Sequence, residues 1–324
     1  MKNLVYSNET ILFPILLVLS ALFWFFLAEV ATGPIVTFLP VAFLLYLFLQ
    51  SAMICHIRGS GVLVDEQQFP DLNDRIRDCA QKAGLSQVPK VYILNGNGVL
   101  NAFATHFLRT HYVVLLSSVL DALEDHPDAI NFYIGHEMGH VARRHVFWQP
   151  ILTPGMSLPL LGAAYSRARE YTADMYGALC CTTPEAPRQA LSVLAAGATR
   201  YKTLNAEAYH AQVKSTSGFW MSFHELTAGY PWLVKRSLRV SPNFTGDVPR
   251  RNFFAYLFAL FVPRLNIITI SLLYFFIIAV AFHPGSGGLF SKLAQRNAAM
   301  QSGAPQPAAA RSGHHAVNGL RGGD

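Results

Sequence analysis

The pentapeptide His136-Glu137-Met138-Gly139-His140 carries residue types suited to hydrolytic metal chemistry, at the spacing such chemistry needs. On an α-helix, positions i and i+4 lie one above the other, so both imidazoles can converge on one ion. Glu137, one step round the same turn, can reach a metal-bound water without being a ligand. This is the HExxH arrangement, in which two histidines hold zinc and the glutamate is the general base of a metallopeptidase. Its plain alternative is a surface helix carrying two of the chain's twelve histidines. A catalytic zinc takes three protein ligands and leaves one position for water, so a third ligand must come from elsewhere. The candidate is Glu170, thirty residues past His140. Asp174, one turn later on the same helical face, could accept a hydrogen bond from a zinc-bound histidine and fix its tautomer. The same two carboxylates also fit an ordinary solvated acidic face.

The elements that must position these groups follow from periodicity. The motif helix is expected to begin at Pro127, a favourable first-turn residue, and to run to Val146. Ile130, Tyr133, Ile134, Met138 and Val141 recur at helical spacing and would bury it. Gly135 and Gly139 each cost about 1 kcal/mol relative to alanine in a helix interior, so close approach of another backbone to the metal face is expected there. A second helix is expected over 163–181, carrying Glu170 and Asp174, with a further helical region to Gln212 and an irregular segment containing His224, Tyr230 and Arg236. Upstream, Asp71 to Ala83 reads as a helix with Leu72, Ile76, Cys79 and Ala83 on one face. Lys90–Leu94 and Tyr112–Leu116 read as strands, with a short edge strand at Asn101 to Ala104 between them. The expected class is mainly α with a small β-sheet (α+β), a zincin-like metallopeptidase domain anchored by transmembrane helices.

Composition places this domain at a membrane. Of the 324 residues 52% are apolar and only 14% charged, and the mean hydropathy is +0.29. Ile11–Ala28 is charge-free over eighteen residues, just long enough to cross a hydrocarbon core. A signal peptide is disfavoured by its bulky aromatics and by the second apolar run, Pro34 to Cys55, that follows at once. The two form an expected hairpin over residues 1–57. Lys2, Arg58, Arg75 and Arg77 flank one side and no Lys or Arg lies in the turn, which predicts a cytoplasmic domain over 58–251 in a bacterial inner membrane. The stretch 146–165 is too short for two crossings, which need on the order of 40 residues, so it should dip into the bilayer or lie on it. Residues 252–283 form a C-terminal membrane region: Leu265–Phe282 is long enough to span, and Phe253–Pro263 only to lie at the interface. Residues 284–324 are Gly, Pro, Ala and Gln-rich and expected to be disordered. The formal charge of +6 is scattered rather than clustered, which fits lipid headgroups and excludes a nucleic-acid role. Cys55, Cys79, Cys180 and Cys181 show neither a CxxC pair nor disulfide-like spacing and fit a reducing compartment.

Three motifs in order make a more specific likeness: Asn101-Ala102-Phe103, the His136–His140 pentapeptide, and Arg167, Glu170 and Asp174 in the pattern Arg-x-x-Glu-x-x-x-Asp. The chain resembles the membrane zinc metallopeptidases that include HtpX-type proteases and type I CAAX prenyl endopeptidases. The resemblance implies one Zn2+ per chain held by His136, His140 and Glu170, with Glu137 as base and Asp174 supporting a ligand. It further implies that Asn101, Ala102 and Phe103 pair with the extended backbone of a peptide or membrane-protein substrate. The chain departs from the family at Thr105-His106, where a glycine is usual, and in lacking a hairpin after the metal helix. Where the family carries a late His-Pro followed by arginine, this chain has Tyr230-Pro231 and Arg236. The resemblance thus places Tyr230 and Arg236 among the expected catalytic residues, with Tyr230 as the donor to the developing oxyanion and His224 as the alternative to it. The expected activity is that of an endopeptidase in membrane protein quality control. A sensor protease with one dedicated target, or a non-catalytic zinc-binding adaptor, are the other readings.

Overall fold

The computed structural model describes residues 4–30, 32–242, 244 and 248–264, with single positions at 270, 274 and 277; the side chains of 30–39 and 42 lie outside this description. The chain is mostly helical with one small sheet. It opens with α1 (Ser7–Val30) and α2 (Thr32–Ser60), which contain the two apolar N-terminal runs. Ser7–Glu29 is the one helix among the described residues that is long and apolar enough to cross a membrane. The domain then builds β1 (Val62–Leu63), α3 (Pro70–Lys82), β2 (Lys90–Leu94), β3 (Ala102–Phe107) and β4 (Thr110–Leu116). Two helices follow, α4 (Ser117–Ala122) and the metal helix α5 (Pro127–Ala142). After them come α6 (His145–Met156), α7 (Leu161–Cys180), α8 (Ala186–Arg200) and α9 (Ala206–Ala211). The described part closes with α10 (Phe219–Thr227), α11 (Leu233–Val240) and α12 (Phe253–Ala259).

The strand order is β1-β2-β4-β3, with β2 and β4 parallel and β3 antiparallel to β4, so β3 is an edge. Strand alternation sorts β4 between two cores. Val113 and Leu115 pack with Ile76, Ile134, Met138 and Leu191 under α3, α5 and α8. Tyr112 and Val114 face the other way, with Tyr92, against Ile54 and Ile57 at the end of α2. The metal helix is thus held between sheet and helices while its flank toward β3 stays next to a strand edge on which no further strand pairs among the described residues.

Several boundaries differ from the sequence expectation. The metal helix stops at Ala142, because Arg144 takes a left-handed conformation (φ 55°) that turns the chain into α6. The stretch 146–165 is helical on both sides of a turn at 157–160, despite Pro150 and Pro154 inside α6. It runs alongside α1: Ser20 donates to the Leu152 carbonyl and accepts from the Gly155 amide, and Trp24 donates to the Ile151 carbonyl. Side chains of α1 thereby satisfy backbone groups in a segment that proline interrupts. The region around His224 and Arg236, expected to be irregular, forms α10 and α11. Arg251 and Lys235 both pair with the fully buried Glu225 there, which ties the two short helices together. α12 exposes Phe253, Phe254, Leu257 and Phe258 while Ala255 and Ala259 pack on Leu226 of α10, as an interfacial helix would. The expected span over 265–282 lies almost wholly outside the described residues, and the tail 284–324 entirely so. Cys79 and Cys180, 101 residues apart, meet as buried free thiols, a pairing that sequence spacing did not suggest.

Candidate active site

The site is set by how closely α5 and α7 approach. They run in opposite directions: Phe132 meets Gly177, and further along His136 meets Asp174 and His140 meets Glu170. A Cβ on Gly135 would sit 2.6 Å from Cys180 Sγ and 2.8 Å from the Tyr176 carbonyl, and one on Gly139 would sit 2.8 Å from Tyr176 Cβ. One on Gly177 would meet the Phe132 carbonyl at 2.7 Å. The glycines therefore do the work expected of Gly135 and Gly139, with a third supplied by α7, and the close crossing brings short carboxylate side chains within reach of the imidazoles.

His136, His140 and Glu170 converge with ligand atoms all within 4.8 Å of one another. His136 Nε2 lies 3.3 Å from His140 Nε2 and 3.5 Å from Glu170 Oε2, and His140 Nε2 lies 3.8 Å from Glu170 Oε1. Ligands bonded to zinc at about 2.0–2.1 Å in tetrahedral geometry stand roughly 3.3–3.4 Å apart, so this triangle has nearly the size zinc requires. Two histidines and one carboxylate also match the donor set of a catalytic zinc site.

Each ligand is braced from behind. His136 turns Nδ1 to Asp174 Oδ1 at 3.0 Å. Arg236 grips Asp174 with two bonds, Nε to Oδ2 at 2.9 Å and Nη2 to Oδ1 at 2.7 Å, and places Nη1 3.8 Å from Glu170 Oε2. Arg236, grouped with the catalytic residues by resemblance, is by its contacts a positioning residue. His140 turns Nδ1 to His145 Nδ1 at 2.8 Å, and His145 Nε2 lies 3.2 Å from Glu9 Oε1 on α1. Neither His145 nor Glu9 was singled out from the sequence. The one signal was a charge at the head of an otherwise apolar helix.

The electrostatics are those of a cation site. Burial opposes a charge on His136, but Asp174 and Glu170 outweigh it and raise its pKa to about 10. Burial also opposes ionisation of Glu170 and Asp174. His136, His140 and Arg236 still hold Glu170 well below the carboxylate range, and Arg236 and His136 lower Asp174. His140 is driven far down, first by burial, with Glu170 acting against the fall and His136 and His145 adding to it. Glu137 is buried, and burial pushes its carboxyl up to about 7; His136 and the Ala104 amide act against the rise and Glu170 adds to it. A carboxyl poised there can both accept and return a proton near neutrality.

The open side is sparser. The backbone amide of Ala104, next to Asn101, Ala102 and Phe103, lies close enough to Glu137 to oppose the rise of its pKa, so β3 runs near the base. Tyr230 is 69% exposed and lines a cavity of about 180 Å3 with Glu170, Gln149, Ser166, Arg169 and Arg264. The charges of Glu170, then burial and Glu137, raise its phenol pKa and keep it a donor. Arg167 holds the segment before Tyr230 by donating to the carbonyls of Glu225, Leu226 and Ala228. His224 is exposed and stacks on Trp220 of its own helix.

Comparison with known proteins bears out the resemblance. Residues 66–164 match the family model described as peptidase family M48, a stretch that contains the metal helix and ends before Glu170. A protease HtpX homolog of Thermococcus kodakarensis is 29% identical over 171 residues, covering 40% of this chain and 58% of that protein. The chain thus matches little more than half the length of that relative. No solved structure matches significantly.

Proposed function

We propose that this chain, which carries a peptidase family M48 domain of the HtpX type, is a membrane-anchored, zinc-dependent endopeptidase. The observation that carries the reading is the triangle of His136, His140 and Glu170 with the buried Glu137 beside it. Those three residues would hold the ion. When bound, zinc supplies Lewis acidity, which favours deprotonation of water and polarises a peptide carbonyl. The carboxylate of Glu137 accepts the proton of the attacking water and delivers it to the departing amide nitrogen. Asn101, Ala102 and Phe103 lead into a free strand edge on which an extended substrate can add as a further strand, its scissile bond brought toward Glu137. Tyr230 Oη, on the far rim, donates to the carbonyl oxygen as it gains charge.

The membrane places the substrate. α1 and α2 cross as a hairpin in the bacterial inner membrane, and the site faces the cytoplasm near the first turns of α1. The stretch 145–165 enters beside α1 as deep as Trp24 and returns with the start of α7, so both flanks stay on one side. Substrates are then protein segments at or within the bilayer, in keeping with membrane protein quality control. Glu137→Gln keeps the ligands and removes the base. It should retain one zinc by elemental analysis and lose about 10²- to 10⁴-fold in cleavage of a casein-like or membrane-protein substrate. Undiminished cleavage overturns the proposal.

A further inference from the structure

We propose that His145 and Glu9 are positioning residues for the zinc ligand His140, so that the first membrane helix completes the outer support of the metal site. The inference rests on the zinc reading given above. If His140 presents Nε2 to the ion, 3.3 Å from its counterpart on His136, its proton sits on Nδ1 and needs an acceptor. The neighbour at 2.8 Å is His145 Nδ1, which accepts only in the tautomer that carries hydrogen on Nε2. That Nε2–H then meets Glu9 Oε1 at 3.2 Å, where a carboxylate accepts. Each proton position fixes the next, and the alternative tautomer of His145 would set two N–H groups against each other.

The arrangement mirrors the other ligand. His136 donates directly to Asp174, which Arg236 holds; His140 donates through one imidazole to Glu9, which Arg143 Nε holds at 2.9 Å. Packing alone does not account for the second chain. Glu9 is 1% exposed at the head of an apolar helix, and a buried carboxylate is costly unless it is paired. Arg143 already supplies that pairing from a partly exposed position. His145 is also buried, between Glu9 and His140, and its ring centroid lies 5.0 Å from that of His140. The left-handed turn at Arg144 is what folds His145 back onto the ligand five residues before it.

The test is zinc affinity of the full chain in lipid nanodiscs, by competition with a chromophoric chelator, with the absorption of the cobalt-loaded protein as a second readout. If the wild type takes up no zinc, the reading on which this inference rests falls. If it binds one, His145→Phe, which keeps a ring but no acceptor, is expected to weaken binding by about 10- to 100-fold and to alter the cobalt spectrum. His145→Gln, whose amide can accept from one neighbour and donate to the other, should recover most of the loss. Ser20→Ala loosens the docking of α1 on α6 without touching the relay and should leave affinity within about twofold. Unchanged affinity in His145→Phe, or an equal loss in Ser20→Ala, overturns the proposal. Should His145→Phe not fold, Glu9→Gln decides: a smaller but measurable weakening supports the relay, and wild-type affinity removes it.

Discussion

On the metal side of the site, His136 leans on Asp174, Asp174 on Arg236 and His140 on His145, whereas on the open side Tyr230 stands 69% exposed at the rim of a polar cavity. The difference follows from what each side must do. Ligands have to keep one geometry with or without substrate, so their rotamers are locked by buried partners. In the proposed enzyme the substrate side has to admit an extended peptide, and its fixed element is backbone, the β3 edge, whose amides and carbonyls do not read side chains. Substitutions on the two sides should therefore differ in kind. Metal-side changes should show in stability and metal content, and open-side changes in rate alone.

The largest effect should come from Glu170→Gln, which removes the one anionic ligand. Zinc content of the purified protein should fall to background and cleavage with it; retained zinc would assign the third ligand elsewhere. Arg236→Leu leaves Asp174 buried without its cation. It should cost about 3–5 kcal/mol in denaturant unfolding and loosen zinc, although Arg236 reaches neither the triangle's centre nor the open side. Tyr230→Phe sharpens the contrast from the other side. Stability should stay within about 0.5 kcal/mol because the residue is exposed. In the same variant kcat should fall by about 10²-fold if the hydroxyl is the oxyanion donor. An unchanged kcat would return that role to another group. Gly135→Ala is the mildest change by chemistry and should still destabilise by about 1–3 kcal/mol, read as a lower thermal midpoint, because its methyl enters the contact with Cys180.

The same division governed what could be read in advance. His136 and His140, and likewise Glu170 and Asp174, are i, i+4 pairs, and helix geometry alone puts each pair on one face. The two glycines pointed to a close crossing, which α7 provides. His145 escaped notice because it lies across a left-handed residue, where helical periodicity no longer says which way a side chain points. Glu9 escaped because its partners are 134 and 136 residues away. Arg236 was found by its distance from Tyr230-Pro231, but its role was not, since distance along the chain does not say which side of the metal a helix will pack on. The prolines in 146–165 argued against a regular helix, and the hydrogen bonds from Ser20 and Trp24 that restore one belong to a different element. The lengths of β2 and α3 were legible almost to the residue, because alternation and amphipathic spacing are local.

The crossing of α5 and α7 also sets a dimensional tolerance. Ordinary van der Waals contact begins near 3.4 Å, and a methyl on Gly135 would stand 2.8 Å from the Tyr176 carbonyl oxygen on the facing helix, so the helices would have to part by about 0.6 Å to admit it. Metal–ligand distances stay sound only within about 0.2 Å. A single carbon atom is thus several times larger than the error the site can absorb, and the bare α-carbons of Gly135, Gly139 and Gly177 act as spacers of zero thickness that calibrate the coordination distance.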